Sequence, residues 1–266
     1  MTRPFVHLHV HTEYSLLDGA IRTADLAKKV APWEVPAVAM TDHGTMYGTI
    51  EFYEKCKAAG VNPIIGCEVY VDPDGHRSRE KKGPGKGPGK GKNNHLILLA
   101  ENDEGYRNLI KLVSIANTDG FYYKPRIDHD LLARYGKGLI CSSACLAGEI
   151  PQLILTGKEE DALARAVLYR DIVGEGNFFL EIMSNTLPEQ AVVNKALIRM
   201  SKETGIPLIA TSDAHYLEKE DYDWHKILLK VNTRADDTDD AFGFSSNEFY
   251  LRSPEEMNGF FGTEVP

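Results

Sequence analysis

Short apolar runs of strand character recur along this chain at residues 5–10, 37–41, 63–71, 96–100, 138–143, 178–183 and 207–211, and helical patterns fill the intervals. Alternation of this kind, repeated about seven times, predicts an α/β fold with a parallel sheet. Parallel neighbours need a long crossover between them, and a helix supplies it. Val193, Ala196, Leu197 and Met200 follow the spacing of a buried helix face, as do Tyr106, Leu109, Ile110 and Val113.

Side chains able to bind metal sit at the ends of these runs. They are His9, His11, Asp18, His43, Glu68, His95, Cys145, Asp213 and His215. A doubly wound sheet gathers its site at one switch point, whereas a closed α/β barrel draws on nearly every strand at its C-terminal mouth. The distribution here predicts a barrel. His9 and His11 alternate on one strand and share a face; His7 has the same parity and is a further candidate. Gly44, after Thr41-Asp42-His43, allows a tight turn that lets His43 project inward. Glu68 lies inside the apolar run IIGCEVYV, where a carboxylate needs a strong partner to offset its desolvation.

Taken singly, each has a plain reading: His95 as a structural histidine, Cys145 as a buried thiol, Asp18 as a turn residue beside Gly19. Nine such coincidences at strand ends are what makes the pattern informative. Imidazole, carboxylate and thiolate together suit Zn²⁺, Mn²⁺ or Fe²⁺ better than Ca²⁺ or Mg²⁺. Nine ligands exceed the needs of one ion or a simple pair, so three divalent ions are expected.

Other features restrict the function classes. No apolar run approaches the roughly 20 residues of a membrane span, and the N-terminus MTRPFVHLHVH lacks a signal-peptide core, which predicts a cytoplasmic protein with no membrane partner. Cys56, Cys67, Cys141 and Cys145 form no CxxC pair and suggest no disulfide framework. A formal charge of −9 argues against tight nucleic-acid binding by bulk electrostatics, so any such substrate must be delivered by another part of a larger assembly.

Two segments break the alternation. Residues 74–94, DGHRSREKKGPGKGPGKGKNN, are too rich in Gly, Pro and Lys to bury anything and read as a mobile basic loop. It lacks the pattern of a phosphate-cradling P-loop. The basic residues from Arg77 to Lys92 could brush a DNA backbone or simply form a solvated insertion. The first domain is expected to span residues 1–235. Residues 236–266 then read as an acidic linker (Asp236, Asp237, Asp239, Asp240) and the start of a next domain, where Ser253-Pro254-Glu255-Glu256 looks like a helix start. A helix opened so near the end hints at a longer parent chain.

HLHVHTEYSLLDG, MTDHGTMYG, GCEVYV, SACLAGEI and SDAHY resemble the PHP (polymerase and histidinol phosphatase) domain. GFYYKPRID at residues 120–128 and the tail FYLRSPEEM narrow the resemblance to the N-terminal PHP domain of bacterial replicative DNA polymerase III alpha subunits. The resemblance covers essentially the whole chain. It implies a distorted (β/α)7 TIM-like barrel with a trinuclear metal centre at the mouth. By that resemblance, His9, His11, Glu68 and Asp213 would hold one ion. Asp18, His43 and His215 would hold a second, and Glu68 would bridge to a third completed by His95 and Cys145.

Such a centre implies phosphodiester hydrolysis, because close divalent ions acidify water and stabilise the attacking and leaving oxygens of an in-line displacement. Asp18, Glu68, His43 and His215 are expected to carry it. In a polymerase the natural substrate is the 3′ end of a DNA primer, which gives a proofreading 3′→5′ exonuclease. Its expected partners are the polymerase domains of the same parent chain and other replisome subunits. Lys124 and Arg126 are candidates for phosphate contact and Tyr14 for stacking on the terminal base, against structural roles for each. Competing readings are a pyrophosphate-clearing role, a free-standing phosphatase of small monoesters resembling histidinol phosphate, and a non-catalytic metal-stabilised scaffold.

Overall fold

A computed structural model describes residues 5–78, 93–233 and 244–261. Seven strands form one curled sheet: β1 (Ala37–Met40), β2 (Asn62–Val71), β3 (Asn94–Ala100), β4 (Arg126–Ile127), β5 (Leu139–Ser142), β6 (Phe178–Met183) and β7 (Leu208–Thr211). Their order is β1-β2-β3-β5-β6-β7, with β4 pairing off this path onto β2. Helices α1 (Thr23–Val30), α2 (Thr49–Ala58), α3 (Asp103–Thr118), α4 (His129–Tyr135), α5 (Glu149–Leu155), α6 (Glu159–Val173), α7 (Pro188–Thr204), α8 (Tyr222–Thr233) and α9 (Pro254–Phe261), with short 3-10 turns at Ala31–Trp33 and Lys219–Asp221, complete the described elements.

The set of seven strands differs from the sequence expectation at its beginning. Residues 5–10 do not form a regular strand; they make isolated parallel bridges, His7 to Val38 and Val10 to Ala214. The Ala39 and Thr41 amides donate to the His7 and Val10 carbonyls at 2.8 and 2.9 Å, and the His11 amide donates to Ala214 at 2.8 Å. This segment thus ties the β1 edge to the end of β7.

The sheet is also not wholly parallel. β3 runs antiparallel to both β2 and β5, while the β1–β2, β5–β6 and β6–β7 pairs are parallel. β2 and β3, consecutive in the chain, pair directly with each other in antiparallel register. The reversal brings the start of β3 to the end of the sheet where its parallel neighbours finish. His95 accordingly sits opposite Tyr70 in the ladder.

Alternation along the strands sorts two apolar layers. Cys67, Val69, Val71, Leu96 and Leu98 face outward onto Leu109, Leu112, Val113 and Ala116 of α3 in the main core. Ile64, Ile97, Leu99, Ala39, Leu8 and Ile140 gather inside the curl as a separate cluster. α7 buries Val193, Ala196, Leu197 and Met200, the face its spacing predicts. α3 is rotated from its expected face. Leu109 and Val113 are buried, but Ile110 is exposed and Tyr106 only half-buried, while Asn108, Leu112 and Ala116 face inward. Asn108 is a polar residue on the buried stripe because its amide donates to the Lys137 carbonyl at 2.9 Å.

The expected domain break after residue 235 does not bound the packed body. Tyr250 bridges Tyr216, the His215 amide donates to Phe249 at 2.7 Å, and Leu251 and Arg252 are buried. The predicted helix start is present: Ser253 and Glu256 cap each other's backbone amides at the head of α9. The acidic run at 236–240 lies outside the described residues, as does most of the basic segment, 79–92. The front of that segment is anchored, because His76 pairs with Asp128 and Arg77 with Asp119. Among the described residues, no helix is long and apolar enough to cross a membrane.

Candidate metal centre

The mouth of the curl gathers all nine predicted side chains, delivered by several different segments. The segment after residue 8 turns His9 and His11 inward. The turn after β1 carries His43 and depends on Gly44, whose φ is +61° and whose added Cβ would meet the Pro125 ring at 2.5 Å. β2 presents Glu68 from its middle, and reversed β3 presents His95 from its first turn of the ladder. Cys145 follows β5, and Asp213 and His215 follow β7, with Asp213 held at φ 51°, a left-handed conformation that aspartate tolerates better than most residues.

Glu68 is the centre of the group. Its Oε1 lies 3.3 Å from His9 Nε2 and 2.9 Å from His95 Nδ1, and 3.9 Å from the Cys145 sulfur. Its Oε2 faces His43 Nδ1 and lies 3.8 Å from His11 Nε2. Asp213 Oδ1 is 3.1 Å from His9 Nε2 and 3.3 Å from His11 Nε2, and Asp18 Oδ2 is 3.2 Å from His43 Nε2. Donor atoms of three triads each fall within 4.8 Å of one another: His9, His11 and Asp213; His11, His43 and His215; His43, Glu68 and His95. The triads overlap at His11 and His43, so they share ligands more than the division implied by the family resemblance.

Asp18 Oδ1, His43 Nδ1, Glu68 Oε2 and Asp213 Oδ1 are buried yet make no aligned hydrogen bond, despite close neighbours. An unsatisfied buried polar atom is costly. Four in one cluster, on nitrogen and carboxylate donors with a thiol nearby, fit a set of divalent cations.

Electrostatics show how the protein balances the cluster with its own protons. Burial works against a charged His43, but the Glu68 and Asp18 carboxylates outweigh it and hold the imidazole up at about 10. Burial likewise opposes charge on His9, and Asp213 and Glu181 raise it well above the ordinary histidine value. His11 goes the other way: burial, then the neighbouring His43 and His215, push it down to about 3. Burial would raise Glu68 and Asp213, yet the surrounding imidazoles hold both below the usual carboxylate range. Burial, reinforced by Glu68, pushes the Cys145 thiol well up. Cation binding would displace protons from these sites.

Three histidines have one ring nitrogen already committed. His9 Nδ1 donates to Glu181 Oε1 at 2.7 Å, His11 Nδ1 to Ser15 Oγ at 3.0 Å, and His215 Nδ1 to the Asp213 carbonyl at 2.8 Å. This leaves each Nε2 as a lone-pair donor. Glu181 was missed in the sequence, and the signal existed: a carboxylate inside the apolar run FFLEIM, as for Glu68 in IIGCEVYV. It also accepts from Ser142 and Thr211. Asp42 was missed as well; it accepts from the Thr12 amide and hydroxyl and from Ser15, fixing the loop that carries His11 and Asp18. His225 of α8 donates to the Asp18 carbonyl at 2.6 Å.

Some expectations fail here. His7 is not in the cluster, because the irregular segment breaks the parity of a strand. Its ring lies edge-on to Phe5, Nε2 donates to the Arg252 carbonyl at 2.8 Å, and burial lowers it to about 4. Arg126 is not a phosphate ligand: its guanidinium is buried and bonded to Asp72, Gly120, His76 and Ser78. Tyr14 has its hydroxyl on Glu51 at 2.6 Å and its ring against Gly48, where a Cβ would clash at 2.4 Å. Lys124 remains near the mouth, its Nζ 5.1 Å from the Tyr70 ring centre.

A sequence profile described as the PHP domain matches residues 7–185, a stretch that holds seven of the nine residues and stops before Asp213 and His215. Proteins described as DNA polymerase III subunit alpha align along nearly the whole chain. The one from Deinococcus radiodurans is 46% identical over 96% of this chain and 19% of its own length. The one from Thermus aquaticus is 45% identical over 95% and 21%, and the one from Borreliella burgdorferi 42% over 95% and 22%. The chain therefore spans about a fifth of the length of these relatives.

Proposed function

The chain belongs to the PHP domain family, and from that footing we propose that it is a metal-dependent phosphoesterase that removes nucleotides from the 3′ end of a DNA strand. The observation that carries the proposal is the gathering of nine metal-competent side chains at one mouth, five of them against Glu68, with four buried donor atoms lacking an aligned hydrogen bond. The same reading takes the curled sheet, tied edge to edge through residues 7–11, as a distorted (β/α)7 barrel.

His9, His11, Glu68 and Asp213 would hold one cation, Asp18, His43 and His215 a second, and Glu68, His95 and Cys145 a third; Zn²⁺, Mn²⁺ or Fe²⁺ suit this donor set. Bound cations would supply acidified water at neutral pH and offset charge developing on the phosphoryl oxygens. The chain does the rest. Glu68 spans the three groups and fixes their spacing. Glu181 and Ser15 orient His9 and His11. Asp18 and His43 are partly exposed at the cluster and are placed to meet a scissile phosphate, and Lys124 shares a neighbouring cavity with His43 to receive an adjoining phosphate.

The length of the relatives supports a place beside polymerase domains in one chain, and the net charge of −9 fits a site to which such domains deliver the DNA. The test is degradation of a 5′-labelled primer with a mismatched 3′ end by metal-loaded protein. Stepwise shortening is expected, with Asp18→Asn slower by about a hundredfold or more, an effect of the size seen when a charge-stabilising catalytic group is removed. No shortening by protein carrying three ions per chain overturns the proposal in favour of a small-phosphate hydrolase or a metal-stabilised scaffold.

A further inference from the structure

A second cavity adjoins the metal centre. It has a volume of about 190 Å³, and His43 lines both it and the 250 Å³ cavity of the cluster, so the two spaces meet at that ring. Its walls include Leu16, Tyr47, Phe121, Lys124 and Thr45. Leu16 is 68% exposed, Tyr47 67% and Phe121 53%. A single exposed apolar side chain is ordinary. Three large ones around one opening, beside a site built for phosphate chemistry, mark a contact surface.

Two polar features share the cavity. Lys124 makes no salt bridge among the described residues, and its ammonium rests over the Tyr70 ring. Thr45 Oγ1 is buried without a hydrogen-bond partner. A cation for phosphate and apolar and aromatic faces for a planar ring are the chemistry of a nucleotide. The cavity is smaller than the roughly 300 Å³ at which pockets for drug-sized ligands begin, which restricts it to a single base.

We propose that this cavity is a nucleobase subsite, in which Tyr47 and Phe121 stack against the base of the 3′-terminal nucleotide while its phosphodiester occupies the metal centre. The proposal rests on the phosphodiesterase reading and sharpens it: the substrate is an unpaired 3′ end, because a base paired in a duplex cannot enter. Stacking reads the face that all bases share, so the subsite is tolerant of sequence. Tyr14, held between Gly48 and Glu51, forms a fixed wall of the same cavity.

The test uses a single strand carrying fluorescent 2-aminopurine, with a terminal phosphorothioate to suppress cleavage. Metal-loaded protein should quench 2-aminopurine placed at the 3′ terminus and leave it bright when placed several nucleotides inward. Phe121→Ala and Tyr47→Ala should each restore the fluorescence and weaken binding about tenfold, the size of a lost base–aromatic stack. On a cleavable strand the same variants should raise KM and leave kcat, and they should cut a strand ending in an abasic residue as fast as the wild-type protein does. Equal brightness at both positions, or variants that bind like wild type, overturns the subsite. If no strand is cut at all, the phosphodiesterase reading fails, while quenching still decides whether a base is bound.

Discussion

The inside of the curled sheet has two halves built on the same strands. β2 places Ile64 in one half and Glu68 in the other; β3 places Ile97 and Leu99 in the first and His95 in the second. Between them Gly66 leaves room for close approach, since a Cβ there would meet Leu99 at 2.6 Å. The apolar half is complete, each side chain packed against the others. The polar half crowds five imidazoles and three carboxylates and leaves four buried atoms without aligned bonds. One half is packed by its own side chains; the other is where a bound cation would add stability.

Stripping the metal breaks this contrast most directly. A ligand held at a thousand times its Kd stabilises by about 4 kcal/mol, and about 1 kcal/mol moves Tm by roughly 2–4 °C at this size. Exhaustive chelation of metal-loaded protein should therefore lower Tm by about 10 °C in a calorimetric scan. An unchanged Tm after complete metal loss would show that the polar half is self-sufficient. A finer probe compares two inward-facing positions of β3. Ile97→Ala should cost about 2–5 kcal/mol in denaturant unfolding whether or not metal is present. His95→Ala should cost stability in the metal-loaded protein and little in chelator, and equal penalties in both conditions would erase the distinction. The smallest effect is expected behind the ligands. Glu181→Gln should lower metal affinity about 10–100-fold in a competition titration, because the group orienting His9 is weakened. Unaltered affinity would assign Glu181 to packing alone.

Legibility in the sequence followed the same division. Candidate ligands stood out because a histidine or carboxylate in an apolar run is a local anomaly, and Glu68, His9 and His11 were all visible that way. Glu181 carries the same anomaly but touches no open space, so only its partner His9 reveals its role. What stayed hidden depended on distant contacts. Arg126 reads as a phosphate ligand until Asp72 is found against it at 2.7 Å. The phase of α3 depends on a carbonyl at Lys137, and the place of residues 244–252 depends on Tyr216, across a long stretch of chain. His7 shows the limit of parity, which holds only where the strand is regular.

The reversal of β3 has a consequence in time. Glu68 and His95 meet through a local hairpin pairing, whereas His9 meets Asp213 only when the two ends of the sheet are joined. Closing a short loop costs less chain entropy than closing a long one, and distant contacts form late. The metal centre should therefore assemble from one side, with the Glu68–His95 edge in place as a seed before the His9–Asp213 edge shuts. Pulsed hydrogen exchange during refolding would register this as protection at residues 66–71 and 94–99 ahead of residues 9–11 and 214, and simultaneous protection would mean that the sheet closes in one step. A chain that builds its reactive centre from a hairpin outward keeps the last ligands away until the scaffold is whole.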